Sequence, residues 1–275
     1  MVKKLLKHEA TYYSRTLFIY AIVLFVLALF TRLLMFFETD MVIYTLAQSS
    51  SFLLFGFAVF ACYILATVIS VFRFYKNLFT SEGYLSFALP VTTNQHIFAK
   101  LISATIYNLI VYILSVFAFL ITISGDIYIE LVDAGLYLLN FAQNQLPDIH
   151  LTLHLIFYII EFVFLTITST VFNLLLYYAC IAIGQTAKKN RILLAVGVYF
   201  GYITITQMFR TVVSMAISIL AANTELIMNL TKYYIEHPFT SIHISLVFSI
   251  VGAIVMSVIC YVITRVTISR KLNLE

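Results

Sequence analysis

Residues Leu151–Gly184 read LTLHLIFYIIEFVFLTITSTVFNLLLYYACIAIG, 34 residues with one acid, Glu161, and no Lys or Arg. At a rise of ~1.5 Å per residue a helix of this length reaches about 51 Å, against a hydrocarbon core of about 30 Å. Such a run suits a bilayer, and it must tilt, protrude or break there. Five more apolar runs lie at about 16–37, 51–72, 101–123, 192–219 and 242–264. Six spans at about 20 residues each use about 120 positions, which excludes a large extramembrane domain. The whole chain, 63% hydrophobic and 10% charged, lies far from the soluble average of roughly half apolar and a quarter charged.

The runs are long and continuous, whereas a membrane barrel needs short alternating segments, so helices are the spanning element. The expected fold is an all-α membrane protein of six transmembrane helices forming a single domain over residues 1–275. Cys62, Cys180 and Cys260 fall inside apolar runs without CxxC or Cys/His spacing, the pattern of buried free thiols.

Orientation follows the basic residues. Placing the N-terminus in the cytoplasm gathers Lys3, Lys4, Lys7, Arg15, Arg73, Lys76, Lys100, Lys188, Lys189, Arg191, Arg265, Arg270 and Lys271 on that side, 13 of the 16 Lys and Arg. Glu38, Asp40, Asp126, Glu130, Asp133, Asp148, Glu225 and Glu236 fall on the other. Both termini are therefore expected inside. The net charge of +4 is a topology signal and implies no nucleic-acid partner. The first run exceeds a usual leader core and no small-x-small site follows it, so it reads as a retained anchor. Ahead of it, Met1–Arg15 places Val2, Leu5, Leu6, Tyr12 and Tyr13 mostly apart from Lys3, Lys4 and Lys7. That pattern fits an amphipathic interfacial helix or a simple basic tail.

Two further segments carry expectations. Ile192 continues apolar through Met208, meets Arg210 and resumes to Ala222, which suggests a span followed by a turn or a partly inserted external helix. Asp126–His150 mixes acids with Ile127, Ile129, Leu131, Val132, Leu136, Tyr137, Leu138, Leu139 and Phe141, and is expected to pack on the outer face of the bundle.

Chemistry-bearing motifs are few. No Lys precedes Ser or Thr, so there is no GxxxxGK[ST] phosphate loop, and HExxH and GxSxG are absent. The chain is not read as an enzyme, and no catalytic residue or metal is assigned. His150 and His154 share a helix face at i, i+4 near Asp148, His237 and His243; metal ligation is weighed there against polar residues capping a helix. Glu161 is the one acid inside a predicted span. An intramembrane charge costs roughly 2.5–3.5 kcal/mol on insertion scales and marks a functional residue by default; the alternative is a structural pair with Arg32 or Arg210. Gly197 and Gly201 form a GxxxG that permits close helix packing.

The most specific stretch is the connection after the second span, Arg73–Leu101, RFYKNLFTSEGYLSFALPVTTNQHIFAKL. Thr80 or Ser81 can cap a short helix with Glu82 in its first turn; Pro90 stops it, and Thr92 or Thr93 can cap the next. Glu82-Gly83, Leu89-Pro90-Val91 and Lys100-Leu101 resemble the loop of the type-2 permeases of ATP-binding cassette (ABC) exporters. Ala182-Ile183-Gly184-Gln185 with Asn190-Arg191-Ile192-Leu193 is similar to small Gram-positive members of that family.

The resemblance implies a multi-pass permease subunit in a bacterial cytoplasmic membrane. Its coupling loop would span 73–100, with Ser81, Glu82, Gly83, Tyr84, Leu85, Leu89 and Pro90 as the segment that engages a separate ABC ATPase. Met1–Arg15 would match the helix preceding the first span. ATP and Mg would be held by that ATPase, with no cofactor on this chain, and a second permease would complete a homodimer or heterodimer. The cargo class is an amphipathic peptide or lipophilic compound. An ion-coupled secondary transporter using Glu161, and a non-transporting immunity or scaffold subunit, are the alternative functions.

Overall fold

The computed structural model describes residues 2–36, 41–80, 82–84, 91–145, 151–187, 189–223 and 225–271. The helices among them are α1 (Val2–Phe36), α2 (Val42–Phe79), α3 (Thr93–Thr122), α4 (Asp126–Gln145), α5 (Leu151–Gly184), α6 (Arg191–Asn223), α7 (Glu225–Glu236) and α8 (Pro238–Lys271). Six of them, α1, α2, α3, α5, α6 and α8, are long and apolar enough to cross a membrane. Helices satisfy their backbone hydrogen bonds internally, which is the condition for crossing hydrocarbon. The chain is an all-helical, multi-pass membrane protein. By internal contacts it divides into two compact units: Met1–Phe74 with Asn94–Thr152, and Tyr75–Thr93 with Leu153–Glu275.

In the first unit α1, α2 and α3 bury Leu24, Ala28, Ala66, Ala104, Val111 and Ala118. Small side chains let helix backbones approach, the usual packing device where lipid tails are as apolar as leucine. The Tyr13 and Tyr107 rings stack at 4.4 Å between α1 and α3. A polar clasp joins α2 to α3: Asn108, 1% exposed, donates to Ser70 Oγ at 3.0 Å and to Ala104 O at 2.8 Å. Thr67 Oγ1 donates to Asn108 Oδ1 at 3.3 Å. The last carbonyls of a helix lack internal partners; at the end of α1, Leu34 O accepts from Tyr44 Oη and, at 3.0 Å, from Gln48 Nε2 of α2.

The turn between α3 and α4 has Gly125 at φ +92°, and a Cβ there would lie 2.2 Å from Arg32 Nη2. The left-handed backbone favours glycine there, and the flexible Arg32 guanidinium lies over it.

In the second unit α5 and α6 form a tight hairpin. Gln185 N donates to Ile181 O, Thr186 N to Ile183 O and Ala187 N to Gly184 O, and Leu194 N donates to Asn190 O as α6 begins. Asn190 is left-handed at φ 56°, a conformation asparagine tolerates better than most residues. The Tyr177 and Tyr199 rings lie 5.3 Å apart across the hairpin. The spacing of Gly184 and Asn190 thus has a folding reason, the geometry of this turn.

Several expectations are revised. The segment up to Arg15 and the first span are one unbroken helix, as no proline or glycine interrupts residues 2–36. Leu151–Gly184 does not break. No turn follows Met208: α6 runs on to Asn223, so the stretch to Ala222 is not a separate helix, and the next helix, α7, begins at Glu225. The polar residues there do not interrupt α6, because Thr211, Ser214 and Ser218 donate to carbonyls of their own helix. Arg210 can extend its charge toward the interface along its aliphatic stem. On α4, Ile129, Leu131, Leu136, Tyr137, Leu138 and Phe141 are exposed, contrary to the expected packing. These apolar residues occupy more than one side of the helix, so they do not define a single packing face. The three cysteines are free and buried.

A Cβ at Gly184 would lie 2.6 Å from Ala195 Cβ and 2.7 Å from Arg191 O. Gly184→Ala is therefore expected to destabilise the hairpin by about 1–3 kcal/mol, the usual cost of overpacking, read as a lowered thermal midpoint in detergent. An unchanged midpoint would contradict the close approach.

Candidate functional site

Building the Arg73–Leu101 connection from its first residue, α2 places Lys76 in its last turn, where a cation meets the negative end of the helix dipole. Thr80 Oγ1 donates back to Lys76 O at 2.5 Å. Thr80 thus finishes α2 and does not supply the expected cap of the following helix. Gly83 N donates to Thr80 O at 2.7 Å, and residues 82–84 form a helical turn. Lys76 Nζ and Glu82 Oε1 lie 2.9 Å apart with side chains 53% and 45% exposed. Such an exposed pair contributes at most about 1 kcal/mol. Gly83 is buried and the Tyr84 ring is exposed. Ser81, Leu85, Leu89 and Pro90 lie outside the described residues. The chain resumes at Val91 and Thr92, and α3 begins at Thr93, where a threonine cap was expected.

The two roots of this connection meet one carboxylate. Arg73, near the end of α2, donates from Nε to Glu9 Oε2, and Lys100, on α3, donates from Nζ to Glu9 Oε1 at 3.0 Å. All three side chains are buried, with exposures of 6% for Glu9, 11% for Arg73 and 8% for Lys100. The Arg73 guanidinium also lies 3.7 Å from the Tyr12 ring centroid, a cation–π contact. Glu9, Tyr12 and Tyr13 follow i, i+3, i+4 spacing and so share one face of α1.

The energetics set the role of this triad. Two charges about 4 Å apart attract by about 4 kcal/mol at an effective dielectric of about 20, while desolvation costs several kcal/mol per buried ion. The net gain is small, but loss of one partner leaves a buried charge uncompensated. What the triad fixes is geometry: it holds the N-terminal turns of α1 against both ends of the connection. Sequence reasoning counted Arg73 and Lys100 as topology charges and passed over Glu9. The available signal was an acid three and four positions from Tyr12 and Tyr13, in a segment otherwise basic.

The predicted intramembrane charges are not brought together as expected. Glu161 is paired with His243 of α8: His243 Nδ1 lies 2.9 Å from both Glu161 oxygens. The expected arginine partner gives way to a histidine, because α8 faces α5 at this height. Arg32 covers Gly125 in the first unit. Arg210 is exposed on α6. His243 Nε2 in turn lies 2.9 Å from His154 Nδ1, and Tyr158 Oη donates to Phe239 O at 2.9 Å. His150 lies outside the described residues. Among the described residues no group of three His, Cys, Asp or Glu is arranged to hold a metal ion.

Gly197 and Gly201 lie on α6, and a Cβ at either would meet nothing within 4 Å. Within the chain their smallness serves no close contact. In comparisons with known proteins the chain matches no family model, no curated protein and no solved structure.

Glu9→Ala is expected to cost about 3–5 kcal/mol, the range for breaking a buried ion pair from one side, measured by thermal or denaturant unfolding of the purified chain. The double change Glu9→Leu with Lys100→Met should recover part of that loss, since only Arg73 is then left without its carboxylate. A negligible effect of Glu9→Ala would show the carboxylate to be solvated.

Proposed function

We propose that this chain is the membrane-spanning permease subunit of an ABC exporter. The observation that carries the reading is the connection after α2. It has Glu82-Gly83, Leu89-Pro90-Val91 and Lys100-Leu101 in that order, and both its roots are tied to α1 through the buried Glu9. A segment meant to transmit movement needs stiff ends, since a slack loop would absorb a push within itself. Arg73 and Lys100 sit on long helices, so displacement of residues 81–90 would pass into α2 and α3.

In this reading the exposed Tyr84 and Glu82 face a separate ATPase, which holds ATP and Mg, while this chain binds no cofactor and hydrolyses nothing. Both termini and the connection lie in the cytoplasm of a bacterial cell, and the N-terminal turns of α1, continuous with its span, extend to that side. The distribution of 13 of the 16 basic residues supports that orientation. A second permease completes the pathway. ATP supplies the differential free energy that moves the bundle between inward- and outward-facing states, as any population shift requires. The cargo is an amphipathic peptide or a lipophilic compound, a class compatible with aromatic walls built from 25 Phe and 19 Tyr.

The test is co-purification with an ABC ATPase expressed in the same cells. The wild-type chain is expected to retain the ATPase and to release cargo from vesicles only with ATP. Glu82→Ala with Gly83→Pro should abolish retention while leaving the permease monodisperse. Cargo release that proceeds without any ATPase would overturn the proposal.

A further inference from the structure

Glu161, His243 and His154 form a continuous hydrogen-bonded array between α5 and α8, all within the second unit. An ionised carboxylate only accepts hydrogen bonds. His243 Nδ1, 2.9 Å from both Glu161 oxygens, must therefore carry a hydrogen, which leaves Nε2 bare in the neutral ring. The next contact, 2.9 Å from His243 Nε2 to His154 Nδ1, needs one hydrogen between two nitrogens, and His154 Nδ1 supplies it. Both neutral rings are thus held as Nδ1–H tautomers, and the one nitrogen of the array with a lone pair left to protonate is His154 Nε2.

A proton arriving at His154 Nε2 makes a new N–H bond there. The Nδ1–H bond of His154 breaks as its hydrogen passes along the existing contact to His243 Nε2. His243 becomes an imidazolium against the Glu161 carboxylate, and His154 ends neutral as the Nε2–H tautomer. No ring turns and no other hydrogen moves. The array changes from one negative charge to none. Net charge is costly in surroundings of low polarity, and the neutral donor facing the carboxylate becomes a cation, which adds Coulombic attraction to the existing hydrogen bond, so the proton both relieves the site and tightens the junction of α5 with α8.

Among the described residues, the titratable groups in contact with His243 are all on α5. Besides Glu161 and His154 there is Tyr158, whose ring stacks on His243 at 4.3 Å and whose hydroxyl is held by Phe239 O. The ring of His237, just before α8, lies 4.6 Å from that of Tyr233 of α7 in a tilted arrangement. A divalent cation does not fit the geometry, because the two nitrogens of His243 point in opposite directions and each already has a partner.

We propose that Glu161, His243 and His154 form a binding site for a single proton, taken up at His154 and held on His243 beside Glu161. The site does not depend on the exporter reading, since it needs neither ATPase nor cargo.

The experiment is nitrogen NMR of the histidine-labelled full chain in lipid nanodiscs. In alkaline buffer both rings should be Nδ1–H tautomers. On acidification His243 should become imidazolium while His154 switches to the Nε2–H tautomer, both changes following one curve. His154→Gln, which leaves the Glu161 contact in place, should leave neutral His243 as Nδ1–H. Rings that start as Nε2–H, or that each pass directly to imidazolium on separate curves, would overturn the proposal; the wild-type spectra alone decide this if the variant does not fold.

Discussion

Hydrocarbon offers no hydrogen bonds, and every polar group carried into it must find its partner in the protein. Many polar side chains of the spans do so, although Thr105 Oγ1 is buried without a hydrogen-bond partner among the described residues. Hydroxyls donate to carbonyls one turn back, as Ser103, Thr122, Thr170 and Thr264 do. Amide side chains join neighbouring helices, as Asn108 does for α2 and α3. Full charges are gathered into clusters where one carboxylate serves more than one partner, as Glu9 does. Helices rich in Ser and Thr remain unbroken because their polar atoms are satisfied without leaving the helix.

The same constraint explains why the chain has two kinds of charged site. Glu9 meets two cations of permanent or near-permanent charge, so its contacts form a fixed joint. Glu161 meets a histidine, whose charge depends on a proton, and the junction it makes can exist in two states of different strength. One cluster lies at the base of the connection after α2, and the other lies in the second unit between α5 and α8. Both use a carboxylate inside a helix, but only the second has a partner that can change.

The six long apolar helices were legible in the sequence because hydropathy is a local property of consecutive residues. The pairings were not. Glu9 and Lys100 are 91 positions apart, and Glu161 and His243 are 82 apart. One sequence holds no record of which helix faces which, so Arg32 and Arg210 were weighed as partners for Glu161 and His243 was not. The break expected near Arg210 failed for a different reason: a charge inside an apolar run was treated as a boundary, although a long side chain can reach the interface from an intact helix. Part of the connection after α2 was legible, since Lys76, Glu82 and Gly83 close a turn close to where one was expected. The reversal of Thr80 was not, because its hydroxyl could serve the helix before it or the one after it.

α6 stands apart from the other spans. None of its apolar window is buried within the chain, and its described ring contacts to α5, through Tyr199 and Tyr202, come from its first half. The hairpin at Gly184 and Asn190 pins one end. The farther half belongs to the same unbroken helix, so its azimuth is fixed by the pinned half, and its exposed faces are presented in a set direction to whatever lies beside them in the membrane.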